Sequence, residues 1–221
     1  MSGRLIVIEG LDGSGKATQT KLLFDRLCAD NEKVMTLSFP CYDDEWSAPV
    51  RMYLGGEFGD KPGDVNGYAA SVLFAVDRFA SYRKDWHRQY NDGYILLSDR
   101  YTTSNAVYQA GKLDHDRWNE YLDWLFDFEY KLMGIPKPDA VIFLDVSAET
   151  SGALMQKRYV GDETKKDIHE RDLEFQRKSR EAALYCANKQ GWRVVQCDES
   201  GVMRNPEDIA NDVFDAVHDL I

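Results

Sequence analysis

Three glycines and a lysine lie close together near the N-terminus, between an apolar run and the start of an amphipathic pattern. Because glycine has no Cβ, Gly10, Gly13 and Gly15 permit close approaches that let successive backbone N–H groups surround phosphate oxygens. Lys16 can then reach the terminal phosphates of a nucleotide. The stretch Leu5–Gln19 therefore predicts a phosphate-binding loop, and the alternative is an ordinary glycine-rich turn with a surface lysine.

This loop departs from the usual pattern at one position. The spacing Gly10-x-x-x-x-Gly15-Lys16 fits the Walker A motif, in which a serine or threonine follows the lysine and its hydroxyl binds magnesium. Ala17 stands at that position, and Thr18 follows one residue late. The loop alone thus indicates phosphate binding, and the purpose of that binding depends on the rest of the chain.

A carboxylate and a guanidinium follow the third apolar run of the chain, at Asp99 and Arg100. The carboxylate can organise Mg²⁺ through water, and the guanidinium can bind a phosphate. The alternative is a buried structural ion pair between the two. We predict the binding role, because both residues come directly after a strand.

Phe74 and Arg78 lie four residues apart in a long helical pattern, and hence on one face of the helix. A flat ring beside a forked donor suits a planar base, by stacking and by hydrogen bonds to carbonyl oxygens. Taken alone, the pair is more typical of a core aromatic residue beside a surface arginine.

Five apolar runs of strand length separate the longer helical patterns: Leu5–Glu9, Val34–Phe39, Tyr94–Ser98, Ala140–Val146 and Val194–Cys197. They are dense in Val, Ile, Leu and Phe without strict alternation, which is typical of parallel strands buried on both faces. The chain therefore predicts an α/β fold of three layers, a five-stranded parallel sheet with helices on both sides. Ligands of such sheets bind beyond the carboxyl ends of the strands, where the glycine loop, Phe39-Pro40 and Asp99-Arg100 converge on one cleft.

The helical patterns occupy the intervals between these strands. We predict helices at Lys16–Asp30, Tyr68–Tyr90, Asp114–Leu132 and Ile168–Gln190, and a last one that begins at Pro206 with Asn205 as its cap. The helix from Asp114 carries an apolar stripe that suits the core or a subunit interface, namely Trp118, Tyr121, Leu122, Leu125 and Phe128. The charged stretch Arg158–Lys166 is predicted to be a mobile loop.

Composition excludes several classes of protein. The 221 residues suit one compact domain, 1–221, with no interdomain linker. A net charge of −11 argues against attachment to nucleic acid or to anionic lipid. No apolar run approaches the roughly 18 residues of a membrane span, and no signal-peptide core is present, so we predict a cytoplasmic location. The four cysteines and four histidines are scattered, which indicates neither a disulfide framework nor a zinc site.

Several motifs together resemble the thymidylate kinases, which phosphorylate dTMP from ATP. They are GLDGSGK in the loop, FP after the second strand, LFAVDR on the helix, DRYTTSNAVY after the third strand and KPD before the fourth. The resemblance covers essentially the whole chain in the expected order. It implies ATP as phosphoryl donor, Mg²⁺ as cofactor, a P-loop NTPase fold, a lid around residues 157–168 and a homodimer formed through the aromatic helices.

The resemblance also assigns roles to individual residues. It implies an ATP site at Gly10, Leu11, Asp12, Gly13, Ser14, Gly15, Lys16, Ala17 and Thr18. It implies a dTMP site at Asp12, Phe39, Pro40, Tyr42, Phe74, Arg78, Arg100, Ser104, Asn105 and Tyr108. Phe74 stacks on thymine, Arg78 and Asn105 contact the base, and Tyr108 packs under the deoxyribose and disfavours a 2′-hydroxyl. The implied catalytic residues are Lys16, Asp12, Asp99, Arg100 and Arg158, with Asp99 holding Mg²⁺ through water.

The chain departs from the family pattern at three places. Ala17 lacks the hydroxyl, so magnesium depends more on water and on Asp99. The family commonly has an arginine just after Phe-Pro, where this chain has Cys41 and Tyr42, so Arg100 has less help unless Arg51 or a lid residue compensates. Because Gly13 occupies the loop position of the family's catalytic basic residue, that role passes to the lid. The candidates there are Arg158, Lys165 and Lys166, which can instead be solvated loop charges.

Two other functions fit parts of this pattern. A deoxynucleoside kinase, or a monophosphate kinase for another base, uses the same loop, and a nucleoside kinase needs a general base such as Glu9 or Asp99. A regulatory protein that binds nucleotides without turnover fits Ala17 and the missing arginine. We predict a thymidylate kinase.

Overall fold

The computed structural model describes residues 2–30, 32–159 and 167–221, with the backbone alone for 157–159. Five strands in these ranges form the main sheet: β1 (Arg4–Gly10), β2 (Val34–Ser38), β3 (Ile95–Asp99), β4 (Ala140–Asp145) and β5 (Arg193–Gln196). The strand order is β2-β3-β1-β4-β5, and every neighbouring pair is parallel. The predicted five-stranded parallel sheet is thereby confirmed, and the strand ends differ from the predicted ends by no more than one residue.

Strand β1 lies at the centre of the sheet, because its apolar run is covered on both faces. Leu5 and Val7 face one helical layer, where they pack with Trp86, whereas Ile6 and Ile8 face the other. On one side β1 pairs with β3, and on the other side it pairs with β4. The glycine loop follows β1 directly, so it emerges in the middle of the carboxyl edge.

The helices in the described ranges cover both faces of this sheet. They are α1 (Lys16–Cys28), α2 (Ala48–Leu54), α3 (Gly67–Ser81), α4 (His87–Asn91), α5 (Thr102–Tyr108), α6 (Trp118–Phe126), α7 (Ala148–Tyr159), α8 (Leu173–Gln190) and α9 (Pro206–Asp215). Helices α1 and α9 pack on the Ile6 face, and helix α9 begins with Asn205 as its cap, as predicted. The three-layer α/β architecture predicted from the strand and helix patterns is therefore confirmed.

Two predicted helices are interrupted by wider turns. The helix predicted from Tyr68 to Tyr90 consists of α3, a π-helical segment at Tyr82–Trp86, and α4. The helix predicted to end at Leu132 consists of α6 and a second π-helical segment, Asp127–Leu132. Such segments add a residue to a turn and often occur at functional sites.

The helix predicted from Ile168 begins five residues too early. Helix α8 starts at Leu173, because the Asp172 side chain accepts a hydrogen bond from the N–H of Phe175 and caps the first turn. Residues before it fold into a turn in which the Asp167 carboxylate accepts from the backbone N–H groups of His169 and Glu170. The side chains of residues 167–170 therefore lie off the axis of α8.

The aromatic stripe of α6 belongs to the core. Phe128 is half-buried, and the other four members are buried against α5 and α8, namely Trp118, Tyr121, Leu122 and Leu125. The core interpretation of these four residues is confirmed, and a subunit interface through the aromatic helices stays a prediction. No helix in the described ranges is both long and apolar enough to cross a membrane.

A short hairpin that the sequence patterns did not predict follows β5. It consists of β6 (Asp198–Glu199) and β7 (Val202–Met203), which pair in antiparallel fashion. The hairpin leads directly into α9 and carries Met203 and Arg204 to the carboxyl edge of the sheet.

Candidate active site

A cavity of about 920 Å³ opens at the carboxyl edge of the sheet. It is lined by the glycine loop after β1, by the segment after β2 and by the segment after β3. The predicted site residues that line it are Asp12, Gly13, Ser14, Gly15, Lys16, Ala17, Thr18, Phe39, Pro40, Tyr42, Phe74, Arg78, Asp99, Arg100, Ser104, Asn105 and Tyr108. The cleft at the converging strand ends is thus present, with most of the predicted side chains around it.

The glycine loop forms one end of the cavity. Gly13 and Gly15 have φ angles of 80° and 88°, in the left-handed region that favours glycine. A Cβ on Gly13 would lie 3.0 Å from the Ser151 carbonyl oxygen, so a side chain there would be tightly packed against α7. Helix α1 begins at Lys16, which places its N-terminal N–H groups beside the loop and favours an anion.

Lys16 is buried in this end of the cavity. Its Nζ donates to the Leu11 carbonyl oxygen at 2.9 Å. Burial and the nearby Arg100 guanidinium lower the pKa of Lys16, although carboxylates nearby oppose them. Leu11 is buried behind the loop and, like Gly10, does not line the cavity, so the cavity wall does not include these two predicted ATP-site residues.

Asp12 joins the loop to the opposite wall. Its carboxylate accepts from the Arg100 guanidinium and from the Tyr108 hydroxyl, the latter at 2.9 Å. Burial raises the pKa of Asp12, but Arg100, Lys16 and the Tyr108 hydroxyl outweigh it and lower that pKa to about 2. Asp12 is therefore a fixed negative charge between the two ends of the cavity.

Asp99 and Arg100 do not form the ion pair that was their alternative role. Arg100 pairs with Asp12 and lies 3.8 Å from the buried Glu9, and its φ of 68° places a non-glycine residue in the left-handed region. Within the described ranges, the buried Oδ1 of Asp99 has no hydrogen-bond partner. Both side chains line the cavity, so the arginine faces the loop and the carboxylate has an oxygen available.

The end of the cavity opposite the glycine loop contains aromatic rings. Phe74 lies edge-on to Tyr53, with ring centroids 5.9 Å apart, and Phe39 is joined to Pro40 by a cis peptide bond. Arg51, the suggested substitute for the missing arginine, donates to the carbonyl oxygen of Tyr42 at 2.6 Å and does not line the cavity. Arg51 therefore supports the loop that carries Tyr42 and contributes no charge to the cavity wall.

Arg78 is 2% exposed, so its alternative role as a surface arginine is wrong. Its Nε and Nη2 donate to the two oxygens of Glu129, at 2.7 and 2.6 Å. Burial lowers the pKa of Arg78, but the adjacent Glu129 carboxylate outweighs this and raises it. Asn105 also donates to Glu129, at 3.1 Å, so the two predicted base contacts share one buried carboxylate.

His169 completes the wall beside the predicted sugar position. Its ring stacks on Tyr108 at an interplanar angle of 14°, and its Nε2 lies 2.7 Å from the Tyr53 hydroxyl. Lys112 donates to the same hydroxyl at 2.7 Å. Burial, with Lys112 nearby, lowers the pKa of His169 to about 3, so the ring is neutral at physiological pH.

The predicted lid has only its ends in the described ranges. The side chain of Arg158 and the whole of Lys165 and Lys166 lie outside the described residues, so the catalytic roles given to them stay predictions, as does the division of the chain into one domain and a lid. Asp167, at the end of this stretch, lines the cavity. Burial, with Asp12 nearby, raises the pKa of Asp167 to about 7.

Sequence patterns missed several residues of this site. Gln109 is buried in the cavity wall, and its Oε1 accepts no hydrogen bond from the described residues. Met203, Arg204 and Pro206 line the loop end of the cavity. The rule that ligands bind at carboxyl strand ends could have found this last group, because it follows β5, whereas Glu129 and His169 have no comparable signal.

Known proteins are similar to this chain over most of its length. A sequence model of the family described as thymidylate kinase matches residues 8–209. A thymidylate kinase of Mycobacterium tuberculosis is 36% identical over 193 residues, which cover 85% of this chain and 87% of that relative. One of Schizosaccharomyces pombe is 31% identical, with 99% and 93% covered. The structure of a thymidylate kinase from Candida albicans matches with a TM-score of 0.74, at 25% identity, over 99% of this chain and 92% of that one. The chain belongs to the thymidylate kinase family.

Proposed function

We propose that the chain transfers the γ-phosphoryl group of ATP to dTMP, giving dTDP and ADP. Membership of the thymidylate kinase family supports this phosphotransferase activity. The observation that carries the proposal is the pairing of two ends in one cavity, a glycine loop with Lys16 and a base pocket with Phe74, Arg78 and Asn105. Two nucleotides with their phosphates meeting in the middle fit this arrangement.

The loop end binds ATP in this proposal. Backbone N–H groups from Gly13 to Thr18 surround the phosphates, and the N-terminus of α1 adds its partial positive charge. Met203, Arg204 and Pro206 line the same end and are positioned to contact the adenosine portion. Lys16 Nζ leaves the Leu11 carbonyl oxygen and contacts the β- and γ-phosphates.

The acceptor end binds dTMP. Phe74 stacks on the thymine ring, while Arg78 and Asn105 contact its polar edge. Tyr108, held by Asp12 and by the His169 ring, lies under the deoxyribose and leaves no room for a 2′-hydroxyl. Arg100 and Tyr42 face the dTMP phosphate.

The transfer needs positioning and charge neutralisation, and no enzyme nucleophile. An oxygen of the dTMP phosphate attacks the γ-phosphorus in line, and the bond from that phosphorus to the β-phosphate oxygen breaks, leaving ADP. Lys16 and Arg100 neutralise the charge spread over the equatorial oxygens. The lid supplies the remaining basic group, and Arg158, Lys165 and Lys166 are its candidates.

Mg²⁺ completes the proposal. The site fits a hard cation, because Asp99 presents a buried oxygen that accepts no hydrogen bond from the described residues, and the Ser14 hydroxyl is likewise unpaired. Asp99 would hold the ion through water, since Ala17 offers no hydroxyl. An ion held there would supply positive charge beside the phosphates of ATP.

The nucleoside kinase alternative loses one of its two candidate bases. Glu9 is fully buried and does not line the cavity, and its oxygens accept from Thr103 at 2.7 Å and from Ser104 at 2.8 Å. Its carboxylate therefore cannot reach a 5′-hydroxyl in the cavity. Asp99 remains the only one of the two that faces the substrate space.

A coupled ADP-release assay over dTMP, dUMP, dCMP, dGMP and thymidine tests the proposal. We expect turnover with dTMP well above that with dCMP, dGMP and thymidine. No turnover with any acceptor would favour the regulatory protein, and preference for thymidine would favour the nucleoside kinase. Omission of Mg²⁺ should abolish turnover, which is restored when the ion is added back.

We further propose that the chain is a cytoplasmic homodimer. Val72, Val76 and Phe79 lie on one face of α3 and are 38% to 43% exposed, so the apolar surface suited to a subunit interface is on this helix, away from the aromatic stripe of α6. Sedimentation analysis should give a dimer for the wild type and a monomer for V76E. A monomeric wild type, or a V76E variant that still dimerises, would contradict the interface.

A further inference from the structure

Glu129 is the most deeply buried carboxylate beside the base pocket, and four side-chain donors converge on it. Its exposed fraction is 0%. Oε1 accepts from Arg78 Nη2 at 2.6 Å and from Asn105 Nδ2 at 3.1 Å. Oε2 accepts from Arg78 Nε at 2.7 Å and from Thr102 Oγ1 at 2.8 Å. Each oxygen therefore accepts two hydrogen bonds, which uses the full acceptor capacity of a carboxylate.

The position of Glu129 in the fold is unusual. It lies in the π-helical segment Asp127–Leu132, where the wider turn directs it inward while Asp127 and Lys131 pair with each other at the surface. Its partners come from two other elements, Arg78 from α3 and Thr102 and Asn105 from α5. One side chain thus holds together the two helices that carry the predicted base contacts.

Glu129 determines which polar atoms of Asn105 can face a ligand. Asn105 Nδ2 donates to Glu129 Oε1 and to the Ser71 carbonyl oxygen, both at 3.1 Å. Both hydrogens of the amide are thereby committed, so the amide oxygen is the atom that Asn105 can offer to a base. A carboxylate cannot donate, so the opposite amide orientation would put two acceptors together at Glu129.

The same carboxylate limits what Arg78 can offer. Nε and one hydrogen of Nη2 are directed at Glu129, and one hydrogen of Nη1 is directed at the Tyr101 carbonyl oxygen at 3.4 Å. Three of the five guanidinium N–H groups are therefore used within the protein. The remaining two can be donated to a ligand.

The pocket consequently presents one acceptor and one donor side chain in a fixed order. Thymine offers the complementary pair, an N3–H donor beside the O4 acceptor. Cytosine offers the reverse, an N3 acceptor beside an amino donor. We infer that Glu129 is a positioning residue that sets the hydrogen-bond polarity of the base pocket and so excludes cytosine nucleotides. This inference rests on the proposed dTMP site.

The E129Q variant tests the inference. Glutamine keeps the shape but brings an NH₂ group to a place where only acceptors fit, so Asn105 loses its fixed orientation. We expect affinity for dTMP and for dUMP, which share one polar edge, to fall by the same factor, about 10-fold to 100-fold. We expect affinity for dCMP to stay level or rise, so that the dTMP to dCMP ratio falls at least about 10-fold.

Calorimetric binding is the readout, so the test does not depend on turnover. D145N is the matched control, because Asp145 is also a buried carboxylate with two hydrogen bonds to one arginine, at 2.7 and 2.9 Å to Arg180, and does not line the cavity. If D145N perturbs only the structure, it should lower the affinities for dTMP, dUMP and dCMP by the same factor or leave all three unchanged. Failure of dTMP turnover in the wild type would count against the proposed function, whereas the base preference in binding tests Glu129.

Two further variants keep the inference open to contradiction. E129D keeps the charge opposite Arg78 and withdraws the oxygen from Asn105, so it should also lower the dTMP to dCMP ratio if E129Q does not fold. In an N105A background, E129Q should have a smaller effect on that ratio, because part of its action passes through Asn105. Ratios in E129Q or E129D within about twofold of the wild type, or a wild type that binds dCMP as well as dTMP, would overturn the inference.

Discussion

The two ends of the cavity are lined by different kinds of chemical groups. At the loop end, backbone N–H groups and the N-terminus of one helix face the cavity, and Lys16 is the only basic side chain that the loop itself contributes. At the base end, side chains from two separate helices, α3 and α5, face the cavity and are held by the buried Glu129. The first end is local in sequence, whereas Arg78 and Glu129 are 51 residues apart.

This difference explains what each end can discriminate. Backbone donors bind any phosphate and read no base, so the loop end selects for charge. In the network at the base end, most donors and acceptors are already hydrogen-bonded within the protein, so only a few polar atoms remain to bind a base, each a donor or an acceptor at a fixed position. A base whose donors and acceptors do not match these positions leaves buried groups unpaired. Catalytic charge should therefore depend on the loop, and specificity on the base end.

Removal of Lys16 should have the largest effect on turnover. K16A takes away the loop side chain that we propose contacts the transferring phosphoryl group, so kcat should fall about 1,000-fold. Steady-state kinetics with saturating ATP and dTMP measure this change. Lys21 on the same helix is exposed and paired with Asp25, so K21A serves as the control and should stay close to wild type. Equal losses in both variants would contradict the role of Lys16.

Removal of Arg78 should act on the acceptor alone. R78A leaves the buried Glu129 charge without its arginine partner and removes a proposed base contact, so the KM for dTMP should rise about 10-fold to 100-fold while the KM for ATP changes little. Unfolding should also become easier by about 3 kcal/mol, because a buried ion pair loses one partner. Denaturant titration measures the second effect. An unchanged dTMP dependence would remove Arg78 from the base site.

Loss of the Tyr108 ring should relax discrimination against a 2′-hydroxyl. Y108A opens the space between Asp12 and His169, so the preference for dTMP over ribothymidine monophosphate should fall about 10-fold. Y108F keeps the ring and loses only the hydrogen bond to Asp12, so it should retain the preference. If Y108A excludes the ribonucleotide as well as the wild type does, the packing role is wrong.

The last expected effect concerns acid stability. The pKa of His169 is about 3 in the folded protein against 6.5 in a free chain, so below pH 6.5 the unfolded state binds a proton that the folded state does not. The contribution of His169 to stability is thus present above pH 6.5 and is lost as the pH falls towards 3. It falls by at most about 1.4 kcal/mol per pH unit.

H169F tests this sign. The difference in unfolding free energy between the wild type and H169F should shrink as the pH falls from 7 to 4, and denaturant titrations at several pH values measure it. Asp167 acts in the opposite direction, because its pKa is raised to about 7, but it cancels in the difference. H218Q removes an exposed histidine and serves as control. A difference that is constant with pH would contradict the buried, neutral state of His169.

The same contrast decides what could be predicted from sequence. The strands, the glycine loop and the cleft could be predicted, because short apolar runs and Gly-Lys spacing carry local physical signals. The start of α8 was missed because Asp167 stabilises a turn that precedes the cap residue Asp172. A helical pattern alone does not distinguish that turn from a helix. Glu129 could not be predicted, because its inward direction depends on a π-helical segment and on partners from distant helices.

The sharpest test of the two-ended cavity is to measure nucleotide binding, one nucleotide at a time, by calorimetry on the wild type, K16A and R78A. We predict that K16A weakens ATP binding and leaves dTMP binding within about twofold, whereas R78A weakens dTMP binding at least about 10-fold and leaves ATP binding intact. If each variant weakened both nucleotides to the same extent, the division of the cavity into a phosphate end and a base end would be wrong.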